Sequence, residues 1–422
     1  MTRRLIKNAD VFNGKDPALL ENAKIVIEDD LVTDILQGDI SETEFDSVLD
    51  AGGLTALPGL TDAHVHVSIT APQDRSRPDE IAVRSVRYAR DMLMRGFTTV
   101  RDAGGITYGL KKNIDSGYLD GPRIYPSNNF ISQTCGHGDI RMSAAEDRLP
   151  GGFYTSPAIM NKMTALADGP AEMLRAVREQ FLLGASQIKL MCGGGVTSFF
   201  DPVQTLQFTP EEMKTAVDAA ADYGTYVMAH IYTSAAMQRA AKAGIRSFEH
   251  ATMMDDETGR MIAGEGIWVM PGPQFARPLA PRYEGDPFIA EKYERIRRCA
   301  GVQTETINKY DIRIVYGTDS MGDPERTDAC QLDDFRYYKM HYGSFRGLLA
   351  ATGNVHELLK MSTYQDPYPR GKIGVLEKGS FADILLVSGN PAEDLDILAD
   401  RNNIRMIMKG GKIYKNTLAA SA

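Results

Sequence analysis

The chain has 422 residues, 43% of them hydrophobic. That is ample for a large core, and the length suggests two or three domains or one barrel with an addition. The net charge is −9, from 47 basic and 56 acidic side chains, with no basic run or stripe, which argues against nucleic acid or an anionic membrane as partner. Cys135, Cys192, Cys299 and Cys330 are widely spaced and unpaired in sequence. They read as buried free thiols in a reducing compartment, not as a disulfide framework or a structural zinc site. No stretch is long and apolar enough for a signal h-region or a membrane helix. A soluble cytoplasmic protein is the expectation, the alternative being a signal peptide removed before residue 1.

In chain order, residues 1–57 predict short strands separated by turns: Ile6 to Val11, Ala23 to Glu28, Leu31 to Leu36 and Ser47 to Asp50, with Asn13-Gly14 and Asp29-Asp30 as turn signals. From residue 58 apolar strand-like runs alternate with helical patterns. The runs are 57–66, 96–102, 123–126, 187–191, 225–230, 247–250, 268–271 and 313–319, and helices are predicted over Glu80 to Arg95, Pro210 to Tyr223 and Ser234 to Ala243. Eight near-continuous apolar strands with crossover helices predict a parallel sheet closed as a (β/α)8 TIM barrel. After about residue 362 the strand-and-turn texture returns, with Ala382 to Val387 and a hairpin of 404–409 and 412–414 around Gly410-Gly411. Short β-pieces are rarely stable alone. The expected organisation is therefore a small composite β-sandwich from 1–57 and 363–422 flanking a catalytic barrel over 58–362.

The chemistry-bearing residues gather at strand ends. In His64-Val65-His66 the two histidines share one side of a strand, about 6–7 Å apart along it, and can reach one ion; two imidazoles bonded to backbone are the plainer alternative. Two more of the seven histidines, His230 and His250, end later strands, as Asp319 does. In a barrel such positions converge on one face. Lys189 lies inside an apolar strand, where an unpaired buried charge costs several kcal/mol. Either it snorkels to the mouth or pairs with Asp319, or it has become a carbamate by reaction with CO2. A carbamate with two anionic oxygens, four histidines and an aspartate suit a pair of borderline ions such as Zn(II).

The ordered set resembles the amidohydrolase superfamily, in its binuclear branch with a carboxylated lysine. It comprises Pro58 to His66, Lys189, His230, His250, Gly317-Thr318-Asp319, and the tail Gly379 to Ile384 with Gly389-Asn390-Pro391. The resemblance implies that His64, His66 and Asp319 hold one metal and His230 and His250 the other, with Lys189 bridging as carbamate beside a hydroxide. It implies attack of that hydroxide on an amide carbonyl, Asp319 carrying the proton to the leaving amine. Ser132 to Asp139 and His230-Ile231-Tyr232-Thr233 narrow it to the prolidase-like and ochratoxin-amidase-like group. There His137 and Tyr232 are implied to meet the substrate's α-carboxylate or polarised carbonyl; a tied-down glycine turn and a packed phenol are the plainer readings. The Cys192-Gly193-Gly194-Gly195 loop can border the substrate. Arg101-Asp102 reads as an ion pair under the site, and His356 as a helix-surface residue.

The expected activity is hydrolysis of a dipeptide or N-acyl amino acid, releasing an amino acid, by a homo-oligomer acting on small molecules. Alternatives are a cyclic-amide, lactone or ester hydrolase with the same site and, remotely, a non-catalytic scaffold. Substrate preference is expected to reside in loops such as 139–163 and 275–288.

Overall fold

The computed structural model describes residues 1–69, 77–141, 148–149, 153–154, 163–279, 285–321 and 324–418. Both ends of the sequence meet in one sheet. Strands β1 (Arg3–Val11), β2 (Leu20–Glu28), β3 (Leu31–Leu36), β4 (Ser47–Asp50) and β5 (Thr55–Pro58) come from the start. β17 (Ile384–Val387), β18 (Ile404–Lys409) and β19 (Lys412–Asn416) come from the end. The order is β19-β18-β17-β5-β1-β2-β3, with β4 on β1. The junction is antiparallel, Thr55 opposite Val387 and Pro58 opposite Ile384. Alternating apolar residues, among them Ile6, Ile25, Ile27, Ala56, Ile384, Leu386, Met406 and Met408, give this sheet its own core.

The rest is mixed α/β with parallel sheets. β6 (Leu60–Val65), β7 (Phe97–Asp102) and β8 (Arg123–Pro126) form one sheet. After the short pieces β10 (Arg148–Leu149) and β11 (Phe153–Tyr154), a second sheet runs in the order β12 (Thr164–Leu166), β9 (Phe130–Ser132), β13 (Ile188–Met191), β14 (Val227–Thr233), β15 (Ser247–Met253), β16 (Trp268–Pro271). The two sheets touch where Ser186 N donates to Pro126 O (2.7 Å). Intervening helices start where proline fits a first turn, as at Pro170 and Pro210, the latter behind a Thr209–Glu212 capping box. They stop at left-handed glycines such as Gly244 and Gly266. Buried residues on the helices and sheets, from Leu60 and Tyr88 to Phe335 and Tyr338, make one large core.

The eighth run differs from expectation. Residues 313–319 form no regular strand, only bridges Val269 to Ile314 and Val65 to Ser320. Hydrogen bonds still tie the run to both neighbours: Val315 N to Val269 O (3.0 Å), Ala63 N to Tyr316 O (2.7 Å) and Asp319 N to His64 O (2.8 Å). Asp319, at the end of the run, takes a left-handed φ of 52°. The cysteines also differ. Cys135 is exposed, Cys299 and Cys330 are partly buried and only Cys192 is buried, so no shared burial protects them. His356 is buried rather than on a helix surface, beside Val355 and Leu358 of a third apolar cluster. Among the described residues no helix is long and apolar enough to cross a membrane.

Candidate metal centre

Six side chains expected to act together do converge. His64 and His66 leave the end of β6 with ring centroids 5.4 Å apart. Asp319 approaches from the eighth run, its Oδ1 lying 3.5 Å from His64 Nε2 and 3.4 Å from His66 Nε2. Lys189, within β13, brings Nζ to 3.4 Å from His64 Nε2. His250 lies 5.2 Å from His64 and 4.9 Å from His230, between ring centroids. Its neighbour Glu249 also faces this interior, although adjacent strand residues normally point to opposite sides. The reason is local: φ is 74° at His250 and 50° at Ala251, so the chain turns left-handed there and the alternation breaks. Gln303 Nε2 donates to the His250 carbonyl, and Gln274 Nε2 lies 2.9 Å from His250 Nδ1 and 3.3 Å from Asp319 Oδ2.

His137 and Tyr232 flank this cluster. The His137 ring stacks on His230 at 4.2 Å, and Tyr232 meets His230 edge-on at 4.6 Å. His137 Nδ1 is 2.8 Å from Ser198 Oγ, and its backbone N–H donates to Gln207 Oε1 (2.8 Å). The 193–195 glycine loop borders the site as expected, and its last member is fitted to His137: a Cβ on Gly195 would lie 1.8 Å from His137 Nδ1. Tyr232 also packs on Phe275, at the head of an apolar cluster with Val196, Ile289 and Tyr293.

Burial sets the electrostatics. It pushes His64 and His137 down to about 4, and His230 and His250 well below the usual imidazole range. These rings are therefore neutral, the state in which imidazole offers a lone pair to a metal. Lys189 is only 1% exposed, and burial lowers it to about 8. It neither snorkels nor pairs with Asp319 among the described residues. Burial would raise the Asp319 carboxyl, but the His66 ring beside it is the main influence holding it well below the usual carboxylate range. Tyr232 is pushed well above the usual phenol value by burial and remains a donor.

These residues fit a divalent ion. One donor atom each from His64, His66 and Asp319 lie within 4.8 Å of one another. Asp319 Oδ1 is buried and accepts no hydrogen bond, an expensive state for a carboxylate unless a cation completes it. Asp62, the buried carboxylate behind His64, is satisfied by contrast. It accepts from His64 N, Thr318 N, Thr318 Oγ1 and Gln331 Nε2, tying β6 to the eighth run.

Two expectations need correcting or completing. Arg101 does not pair with Asp102. It pairs with Glu249, Nη2 donating to both carboxylate oxygens (2.9 and 3.0 Å). Asp102 instead accepts from Val67 N (3.0 Å) and Thr107 Oγ1 (3.3 Å), because neighbours in a strand face opposite ways. Glu249, Gln274, Gln303 and Ser198 went unrecognised in the sequence. For Glu249 a signal existed: like Lys189, it is a charge inside an apolar strand. The loops 139–163 and 275–288 lie partly outside the described residues, at 142–147, 150–152, 155–162 and 280–284.

Residues 55–414 match the amidohydrolase family. The chain is 30% identical to an ochratoxinase of Aspergillus niger over 94% of its own length and 83% of that protein's. A crystal structure of an amidohydrolase superposes with a TM-score of 0.89 at 32% identity, covering 98% of this chain and 99% of that one. A prolidase crystallised with N-methylphosphonate-L-proline gives a TM-score of 0.88 at 29% identity, covering 98% and 100%.

Proposed function

The chain belongs to the amidohydrolase family and is a hydrolase of amide bonds, and on that premise we propose that its substrate is a dipeptide or an N-acyl amino acid, cleaved to release a free amino acid. Similarity to a prolidase and to an ochratoxinase supports this substrate class. We read the two parallel sheets and the eighth run as one closed (β/α)8 barrel over 58–362, and the composite sheet of 1–57 and 363–422 as the core of a β-sandwich domain.

In this reading His64, His66 and Asp319 would hold one divalent ion, Zn(II), and His230 and His250 a second, with Lys189 joining them as a carbamate. Such ions supply Lewis acidity, which acidifies water and polarises an amide carbonyl. The remaining work belongs to side chains. Asp319, an acceptor held ionised in the cluster, takes the proton of the attacking water and returns it to the leaving amine. Its left-handed backbone is a local cost consistent with such a role. His137 and Tyr232 orient the substrate's α-carboxylate and carbonyl, Tyr232 as an un-ionised phenol donor. The apolar cluster behind Tyr232 keeps water from that side.

The observation that carries the reading is that a buried carboxylate oxygen without a hydrogen bond and a buried lysine both lie against the His64 ring. Lysine carbamate forms from the neutral amine, and burial moves Lys189 toward that form. The test is metal analysis of the purified protein, then a screen of dipeptides and N-acyl amino acids. About two ions per chain and turnover of an amide are expected; no metal, with no gain on adding Zn(II) and bicarbonate, sinks the metal reading. Turnover only of lactones or cyclic amides sinks the substrate class. Lys189→Ala is expected to lose metal and activity together, and full retained activity refutes the bridging role.

A further inference from the structure

We propose that Glu249 is a positioning residue that fixes His64 in the tautomer carrying its proton on Nδ1, and that Arg101 holds Glu249 as a carboxylate for that purpose. The geometry has three parts. First, His64 Nδ1 is 2.6 Å from Glu249 Oε2, with both side chains at most 1% exposed. An ionised carboxylate only accepts, so the proton of this short contact belongs to the imidazole.

Second, Glu249 has no capacity left for anything else. Oε1 accepts from Arg101 Nη2 (2.9 Å) and Ser247 Oγ (2.7 Å), and Oε2 from Arg101 Nη2 (3.0 Å) and His64 Nδ1 (2.6 Å). A carboxylate offers about four acceptor sites, and all are used. Asp319 Oδ1, by contrast, is buried without a partner. Of the two carboxylates at the ring nitrogens of His64, one therefore has an oxygen open to a ligand and the other does not.

Third, Arg101 ties the arrangement to the backbone next to the histidine. Its Nε donates to Ala63 O (2.6 Å), and Nη1 donates to Tyr226 Oη (3.2 Å) and Ser247 Oγ (3.0 Å). The guanidinium thus fixes both the residue before His64 and the carboxylate that receives its proton. The consequence falls on the other ring nitrogen. With the proton on Nδ1, the lone pair is on Nε2, the atom that lies 3.4 Å from Lys189 Nζ and 3.5 Å from Asp319 Oδ1. Without Glu249 nothing described at Nδ1 selects between the two tautomers.

The last step, that this lone pair is meant for a metal, rests on the reading under Proposed function; the tautomer does not. The test separates them. Metal-free protein with isotopically labelled histidine is read by nitrogen NMR, with His64→Asn assigning the signal. Wild type is expected to show His64 protonated on Nδ1; an Nε2–H tautomer overturns the proposal. The second measurement uses Arg101→Gln combined with Glu249→Gln, which leaves no buried charge unpaired. Zinc affinity by chelator competition is expected to fall about 10- to 100-fold, with mixed tautomers at His64. A folded double variant with wild-type affinity and a pure Nδ1–H signal reduces the pair to a structural ion bridge and overturns the proposal. If the double variant does not fold, the wild-type spectrum decides. If wild type binds no zinc, the metal reading falls while the spectrum still decides on Glu249.

Discussion

Replacing Gly195 with alanine tests His137 without altering its side chain. A Cβ there would lie 1.8 Å from His137 Nδ1 and 2.0 Å from Cε1, while ordinary contact begins at 3.4 Å, so the ring has to retreat by about 1.6 Å. The φ at Gly195 is not left-handed, so alanine brings no backbone strain of its own. The retreat breaks the 2.8 Å contact with Ser198 Oγ and the 4.2 Å stack on His230. Loss of one such bond costs about 1 kcal/mol of stability, which leaves the protein folded. A misplacement of about 1 Å at a substrate-orienting group costs roughly 10²-fold, so kcat/KM is expected to fall by about two orders of magnitude, or about 2.7 kcal/mol. The assay is steady-state kinetics on the best substrate of the screen, with metal analysis of the same samples. Metal content is expected to stay at the wild-type level, since none of the six proposed ligands is displaced. A kcat/KM within twofold of wild type refutes the role given to His137. Loss of metal instead shows that His137 supports the ions rather than the substrate.

The remaining expectations concern stability. Gly264→Ala, at an exposed position in the helix Asp256–Glu265 with nothing within 4 Å of the added methyl, should stabilise the protein by about 0.5–1 kcal/mol in urea unfolding; destabilisation would mean the helix is not formed there. Arg123→Met breaks a buried pair in which Nη1 reaches both oxygens of Asp383 (2.9 and 2.7 Å). That should cost about 3–5 kcal/mol by the same assay, and a loss under 1 kcal/mol would show the pair to be solvated. Stripping metal with a chelator should lower the unfolding midpoint, and Zn(II) should restore it; an unchanged midpoint counts against an ion bound to the folded state.

The candidate site was legible because each proposed ligand stands at the end of an apolar run or interrupts one, a pattern that local sequence carries. What supports the ligands was less so. Glu249 sits 185 residues from His64, and its importance comes from that distant contact. Beside a histidine already read as a ligand, it was absorbed into the same motif. Arg101 was paired with the residue next to it, although strand geometry sends neighbours apart; its true partner is 148 residues away. Gln274 and Gln303 hold His250 in a left-handed turn that no residue type announced, since His250 and Ala251 are not glycines. The strands Phe130–Ser132 and Thr164–Leu166 were missed because each is three residues long, too short to show a period. The eighth run has the apolar composition of a strand; that it meets its neighbours through isolated bridges and single hydrogen bonds is a matter of conformation, which composition does not carry.

The seam between Thr55–Pro58 and Ile384–Val387 makes time part of this protein's assembly. A ribosome adds about 5–20 residues per second, so a wait on the order of tens of seconds separates the two halves of that seam. His64 and His66 follow directly on the first half, and the eighth run that donates to the His64 carbonyl arrives late as well. Throughout synthesis these histidines belong to a strand with an unfinished border. If the site takes ions as proposed, it can complete their binding only once the eighth run has arrived beside His64.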